Sequence, residues 1–135
     1  MRPVSHSART GARILCVEDE ALMLDLLRHF VERAGYGFLG ARDGLEALVM
    51  MRREQPDLVL LDLMLPEVDG AEVLLQKKAD PAIREIPVIA VTALTSPFDQ
   101  LMWKRRTEIK AYVTKPFKRQ ELLDTIERVL SGGPN

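Results

Sequence analysis

The 135-residue chain holds one cysteine, one tryptophan, two histidines and 5% aromatic residues, and each scarcity removes a class of explanation. A lone Cys16 excludes an internal disulfide framework. No apolar run approaches the roughly 20 residues of a spanning helix, and the polar opening from Met1 to Thr10 lacks the apolar segment of a secretory signal. A cytoplasmic location without membrane contact is therefore expected. Charge of one sign is missing too: 19 Lys and Arg face 20 Asp and Glu, a net charge of -1, with no general pull toward nucleic acid. No helix-turn-helix or zinc motif supplies another route to DNA. His29 shares a polar helix face with Asp25, Arg28, Glu32 and Arg33, and His6 stands in a tail. Neither reads as a phosphohistidine or a metal ligand.

What remains is 47% hydrophobic and 29% charged, the composition of a compact domain with one apolar core. Residues 1–11 and 132–135 read as tails around a domain over 12–131. Within it short apolar runs alternate with amphipathic segments five times. Ile14-Leu15-Cys16-Val17 leads into a helix from about Glu20 to Ala34, striped by Leu22, Leu26, Leu27, Phe30 and Val31 and broken by Gly35 and Gly37. A strand near Tyr36 to Ala41 follows. Asp43 with Glu46, and Asp69 with Glu72, have capping-box spacing and open two further helices; one stops before Pro56, the other around Asp80-Pro81. Leu58 to Leu61 is apolar throughout, as a strand buried on both faces requires. Pro87 to Val91 and Lys110 to Thr114 read as strands, Ser96 to about Glu108 as a helix. Leu122, Leu123, Ile126, Val129 and Leu130 stripe the last helix. Cys16 falls in a buried strand, as a small apolar residue, and the six methionines are expected to fill core gaps.

Repeated β-α units build a doubly wound α/β fold, a parallel sheet covered by helices on both faces. Ligands bind such sheets beyond the carboxyl ends of the strands. Here those ends carry Glu18-Asp19-Glu20, Asp62, Thr92 and Lys115-Pro116. Singly, each has a plain structural explanation as a helix cap, a dipole partner or a solvated charge. Asp62 is the exception, because a charge between Leu58–Leu61 and Leu63-Met64-Leu65 costs several kcal/mol unless compensated. If the sheet folds as proposed, Glu18, Asp19 and Asp62 crowd together and oppose one another's ionisation, which a hard cation relieves. One or two carboxylates with waters and a phosphate oxygen suit Mg²⁺, whereas Ca²⁺ wants more protein oxygens. Lys115 and Thr92 add a point charge and a hydroxyl for an anionic group. Together they describe a carboxylate that receives a phosphoryl group.

From about Arg13 to Leu130 the sequence resembles the receiver domains of bacterial two-component response regulators. The matching pieces are Ile-Leu-Cys-Val-Glu18-Asp19-Glu20, Asp62-Leu-Met-Leu-Pro66-Glu-Val-Asp69-Gly70, Val-Thr92-Ala93 and Tyr112-Val-Thr-Lys115-Pro116-Phe117. The resemblance implies a flavodoxin-like sheet of five strands in the order 2-1-3-4-5 with five helices. It implies that Asp62 takes a phosphoryl group from a histidine kinase or histidine phosphotransfer protein. Asp19 and Asp62 would hold Mg²⁺ directly, Glu18 through water, and Met64 through its backbone carbonyl. Thr92 and Lys115 would bind phosphoryl oxygens, Tyr112 would turn inward as Thr92 moves, and Lys115-Pro116 is a candidate cis peptide. Met64 and Leu94 flank the path of the attacking water in that family and here offer it little hydrogen bonding, so they are expected to lengthen the life of the acyl phosphate.

Two departures stand out. From Thr92 to Lys115 the chain is one residue longer than the family pattern, and Glu108-Ile109-Lys110-Ala111 replaces the usual Gly-Ala, so an irregular end to the fourth helix is expected. Trp103, Lys104, Arg105, Arg106, Lys110, Lys118 and Arg119 form a basic segment, read either as a solvated face or as the docking surface for a downstream protein, with a phosphorylation-dependent dimer on the same face. Three functions are weighed: a phosphorylated receiver, alone or as a fragment of a larger regulator or hybrid kinase; a non-phosphorylated pseudo-receiver acting as an interaction module; and a hydrolase using an aspartyl phosphate. The pseudo-receiver is expected to lack one of Asp19, Asp62, Thr92 or Lys115, and all are present. A hydrolase of the haloacid-dehalogenase type wants a second Asp where Met64 stands. The expectation is a self-modifying phosphoacceptor rather than an enzyme acting on other substrates.

Overall fold

Four consecutive apolar residues, Leu58–Leu61, form the middle strand of a five-stranded parallel sheet, in a computed structural model that describes residues 11–65, 68–93, 96–105 and 108–132, with the backbone alone for residues 98–100 and 104. In chain order the elements are β1 (Arg13–Val17), α1 (Ala21–Arg33), β2 (Gly37–Ala41), α2 (Gly44–Glu54), β3 (Leu58–Leu61), α3 (Gly70–Lys78), β4 (Val88–Thr92), α4 (Pro97–Lys104), β5 (Ile109–Thr114) and α5 (Arg119–Leu130). The strand order is β2-β1-β3-β4-β5, as expected.

Strand periodicity sends alternate residues of the inner strands into two apolar layers, and their polar residues, Arg13 and Thr92, stand at strand ends. Ile14, Cys16, Leu58, Leu60, Ile89 and Val91 pack with Leu27 and Val31 of α1 and Leu122 and Ile126 of α5. The alternate residues Leu15, Val17, Val59, Leu61, Val88 and Ala90 pack with Ala47, Leu48 and Met51 of α2 and Val73 and Leu74 of α3. Each large side chain so buried contributes roughly 1.5–3 kcal/mol. Cys16 is wholly enclosed, and burial pushes its thiol pKa upward, away from nucleophilic use.

Both expected caps form. Asp43 accepts from the Glu46 N–H at 2.8 Å and Asp69 from the Glu72 N–H at 3.1 Å. Gly35, at φ +97°, turns the chain after α1, and Gln55, in the left-handed region at φ +49°, ends α2 just before Pro56. His29 is exposed beside the Arg28–Glu32 ion pair, as the polar face implied.

Four expectations need correction. Leu22 and Leu26 are 80% and 40% exposed: the buried stripe of α1 runs through Leu24, Leu27 and Val31, at the spacing of one helix face, which leaves no room for the other two leucines. Only Met51 of the methionines in the described residues is fully buried; Met23 and Met50 are half-buried, and Met64 and Met102 face solvent. The fourth helix ends at Lys104 rather than near Glu108. Finally, β5 begins at Ile109 rather than Lys110 and is irregular: Val88 pairs with Ile109 and Ile89 with Ala111, leaving Lys110 as a bulge with no opposed residue. Residues 1–10 and 133–135 of the expected tails, together with Pro66, Leu94 and Arg106, lie outside the described residues.

Candidate functional site

Register builds the site. Val17 is aligned with Leu61, and the Asp62 N–H donates to the Val17 carbonyl at 3.1 Å, so Glu18 and Asp62 leave neighbouring strands at the same level. Leu61 is aligned with Ala90, and Thr92 with Thr114. The Lys115 N–H donates to the Thr92 carbonyl at 2.9 Å. Residues distant in sequence therefore converge at one edge of the sheet because each immediately follows or ends a strand.

The carboxylates of Glu18, Asp19 and Asp62 each offer an oxygen within 4.8 Å of the others. Glu18 is 2% and Asp62 6% exposed, while Asp19 faces solvent. Lys115 reaches into this cluster, donating from Nζ to Glu18 Oε1 at 2.6 Å and to Asp62 Oδ2 at 3.2 Å. Burial lifts the Glu18 pKa above the usual carboxylate range, and the Lys115 hydrogen bond only partly opposes it. Burial also works against the Lys115 ammonium, but the hydrogen bond to Glu18 and the charges of Asp62 and Glu18 outweigh it and leave its pKa raised. Asp62 Oδ1 accepts the Met64 N–H at 2.9 Å, so both carboxylate oxygens are oriented.

Thr92 is fully buried, and its Oγ1 has no hydrogen-bond partner among the described residues. A buried hydroxyl without a partner is costly, and at the strand end beside Asp62 it is placed to meet an oxyanion. Three carboxylates, all hard oxygen donors, suit a small hard cation such as Mg²⁺. The site can thus hold a divalent cation on its acidic side and an anion between Thr92 and Lys115.

Tyr112 is half-buried against the core on the α2–α3 side, with its hydroxyl shielded from solvent. The Lys115-Pro116 peptide is cis. Met64 is 58% exposed. Trp103 is half-buried against the core; among the described side chains of α4, Leu101 and Met102 are exposed large apolar groups. Arg105, Lys110, Lys118 and Arg119 are exposed. One participant was missed. Arg42, directly after β2, donates from Nε and Nη2 to the Asp19 carbonyl oxygen at 3.1 and 2.8 Å. Its signal was a long cationic side chain at the one strand end left without a role.

Comparison with known proteins agrees with this geometry. The family model described as the response regulator receiver domain matches residues 14–127. The polar-differentiation response regulator DivK of Brucella anthropi is 41% identical over 117 residues, covering 87% of this chain and 94% of that protein. The signal receiver domain of a signal transduction histidine kinase from Syntrophus aciditrophicus superposes with a TM-score of 0.82 at 34% identity, over 90% of this chain and 92% of that one. The receiver domain of a sensor histidine kinase from Pseudomonas aeruginosa, solved with a magnesium ion coordinated in its active-site cleft, superposes with a TM-score of 0.81 at 30% identity, over 90% and 98%.

Proposed function

The chain belongs to the response regulator receiver domain family, and from that premise we propose that it is a phosphoacceptor: Asp62 takes a phosphoryl group from a phosphohistidine protein, and the modified domain signals to a partner by changing conformation. The observation that carries this reading is the pairing of a buried, doubly oriented Asp62 carboxylate with the Lys115 ammonium at 3.2 Å.

An Asp62 oxygen attacks phosphorus, the P–N bond to the donor imidazole breaks as the P–O bond forms, and the imidazole departs. Catalysis of this transfer is positioning and charge stabilisation. Lys115 neutralises charge on the transferred oxygens, and Thr92 Oγ1 donates to one of them. Mg²⁺, held by Asp19 and Asp62 directly, Glu18 through water and the Met64 carbonyl, would supply further charge neutralisation when bound. Thr92 moving toward the phosphoryl group draws on its loop, and Tyr112 follows, biasing a two-state equilibrium. The donor is a histidine kinase or histidine phosphotransfer protein. The readout is a downstream protein, or a second copy, at the exposed face of α4 and the basic residues around β5. The protein turns over no other substrate, and its location is cytoplasmic; no helix among the described residues is long and apolar enough to cross a membrane.

The test is incubation of the full chain with acetyl phosphate and Mg²⁺, read by intact mass and peptide mapping. One hydroxylamine-labile phosphoryl group is expected on Asp62 and none on Asp62→Asn. No labelling of the unaltered chain would leave a pseudo-receiver, and labelling at another residue would overturn the assignment.

A further inference from the structure

The peptide unit joining Asp19 to Glu20 is gripped at both of its polar atoms. Its N–H, that of Glu20, donates to Glu18 Oε2 at 3.1 Å. Its carbonyl, that of Asp19, accepts the Nε and Nη2 fork of Arg42 at 3.1 and 2.8 Å. Arg42 is itself held in place. Val17 is aligned with Ala41 and the Glu18 N–H donates to the Ala41 carbonyl at 3.0 Å, so the residue after β2 lies beside the acidic loop. The Arg42 N–H donates to Glu46 Oε1 at 2.8 Å, within the cap of α2.

Fixing both ends of a peptide plane fixes the torsions on either side of it, and with them the direction in which Asp19 projects its side chain. That matters because Asp19 is exposed and no hydrogen bond among the described residues holds its carboxylate. Its placement near Glu18 and Asp62 comes from the backbone.

We infer that Arg42 is a positioning residue of the cation site, its fork locking the Asp19–Glu20 peptide so that the Asp19 carboxylate is presented beside Asp62. This rests on the Mg²⁺-assisted reading given above. Two consequences of a guanidinium here oppose each other: pre-organisation of a ligand strengthens cation binding, whereas a nearby positive charge weakens it. The charge is exposed and screened, while the fork acts on the ligand's own backbone, so pre-organisation prevails.

The experiment is calorimetric titration of Mg²⁺ into the full chain, unaltered and as Arg42→Met, Arg42→Lys and Asp19→Ala, with melting of each in chelator. Arg42→Met is expected to weaken Mg²⁺ binding about three- to tenfold, less than the ten- to hundredfold of enclosed outer-shell partners. Arg42→Lys, which keeps the charge and gives up the fork, is expected to weaken it as well. Both are expected to melt within about 2 °C of the unaltered chain without metal, since exposed substitutions change stability little. Unchanged or tighter binding in Arg42→Met, with Asp19→Ala still abolishing it, overturns the role of Arg42 alone. Absent Mg²⁺ binding in the unaltered chain, or undiminished binding in Asp19→Ala, overturns the site reading and this inference together.

Discussion

Lys115 and Glu18, 97 residues apart in sequence, form a nearly enclosed ion pair with Nζ 2.6 Å from Oε1. The same ammonium reaches Asp62, so one lysine balances two buried carboxylates. Removing it leaves them facing each other without compensation. Lys115→Met is expected to lose about 1–3 kcal/mol of stability in chelator and to label far more slowly with acetyl phosphate. Its melting temperature is also expected to rise more with millimolar Mg²⁺ than that of the unaltered chain, because the ion then meets uncompensated charge. Equal Mg²⁺-dependent rises in the two proteins would show that Lys115 and the cation do not share these carboxylates.

A second lysine is buried far from this chemistry. Lys77, 3% exposed, donates from Nζ to the Arg84 carbonyl at 2.9 Å, and burial lowers its pKa to about 8 against the pull of Glu85 and Glu108. Between pH 8 and the ordinary value of 10.5 the unfolded chain therefore binds the extra proton, so Lys77 adds stability as pH rises through that window. Cys16, with its raised pKa, works in the opposite sense. The difference between the unaltered chain and Lys77→Met isolates the lysine. Denaturant unfolding from pH 7 to 10.5 is expected to show the unaltered chain gaining on the variant, by up to roughly 3 kcal/mol at about 1.4 per pKa unit. A difference independent of pH would mean that Lys77 keeps an ordinary pKa.

The loop after Asp62 is packed against backbone. A Cβ on Gly70 would stand 2.7 Å from Leu63 Cα, which has no side-chain freedom to yield. Gly70→Ala is expected to cost about 1–3 kcal/mol, read from the denaturant midpoint. An unchanged midpoint would show that this loop relaxes freely.

Met64 combines an exposed thioether with an N–H bound to Asp62; its companion Leu94 is outside the described residues. Carrying Met64→Asn and Leu94→Glu, the chain is expected to lose its Asp62 phosphate roughly tenfold faster at saturating Mg²⁺, a barrier lower by about 1.4 kcal/mol. Polar groups there can orient a water in line with phosphorus. Equal decay rates would mean that both residues only pack.

The succession of strands and helices and the two helix caps were legible in the sequence because each rests on a local signal, unbroken apolar runs or an Asp with Glu three residues on; the strand order came only with the family resemblance, and the charges at strand ends showed which side chains could converge. Arg42 was not legible in this way. Its action passes through the main chain of Asp19, and nothing in a residue pattern shows which carbonyl a long side chain will reach. The bulge at Lys110 was not legible either, since it is defined only by pairing with β4. Lys77 closes α3 where a cation normally suits the helix dipole in solvent; only the tertiary packing of the following turn encloses it. Leu22 and Leu26 extended the apparent stripe of α1 because composition marks them apolar without saying which flank of the helix meets the sheet.

The parallel order of the sheet divides the site's charges along the chain in a way that bears on biosynthesis. Glu18, Asp19 and Asp62 all belong to the β1–β3 portion, whose strands pair with one another, whereas Thr92 and Lys115 arrive with β4 and β5. A chain made amino end first therefore contains all three carboxylates before the lysine that pairs with Glu18 and Asp62, yet a domain folds as a unit, so the cluster closes only once β4 and β5 are available.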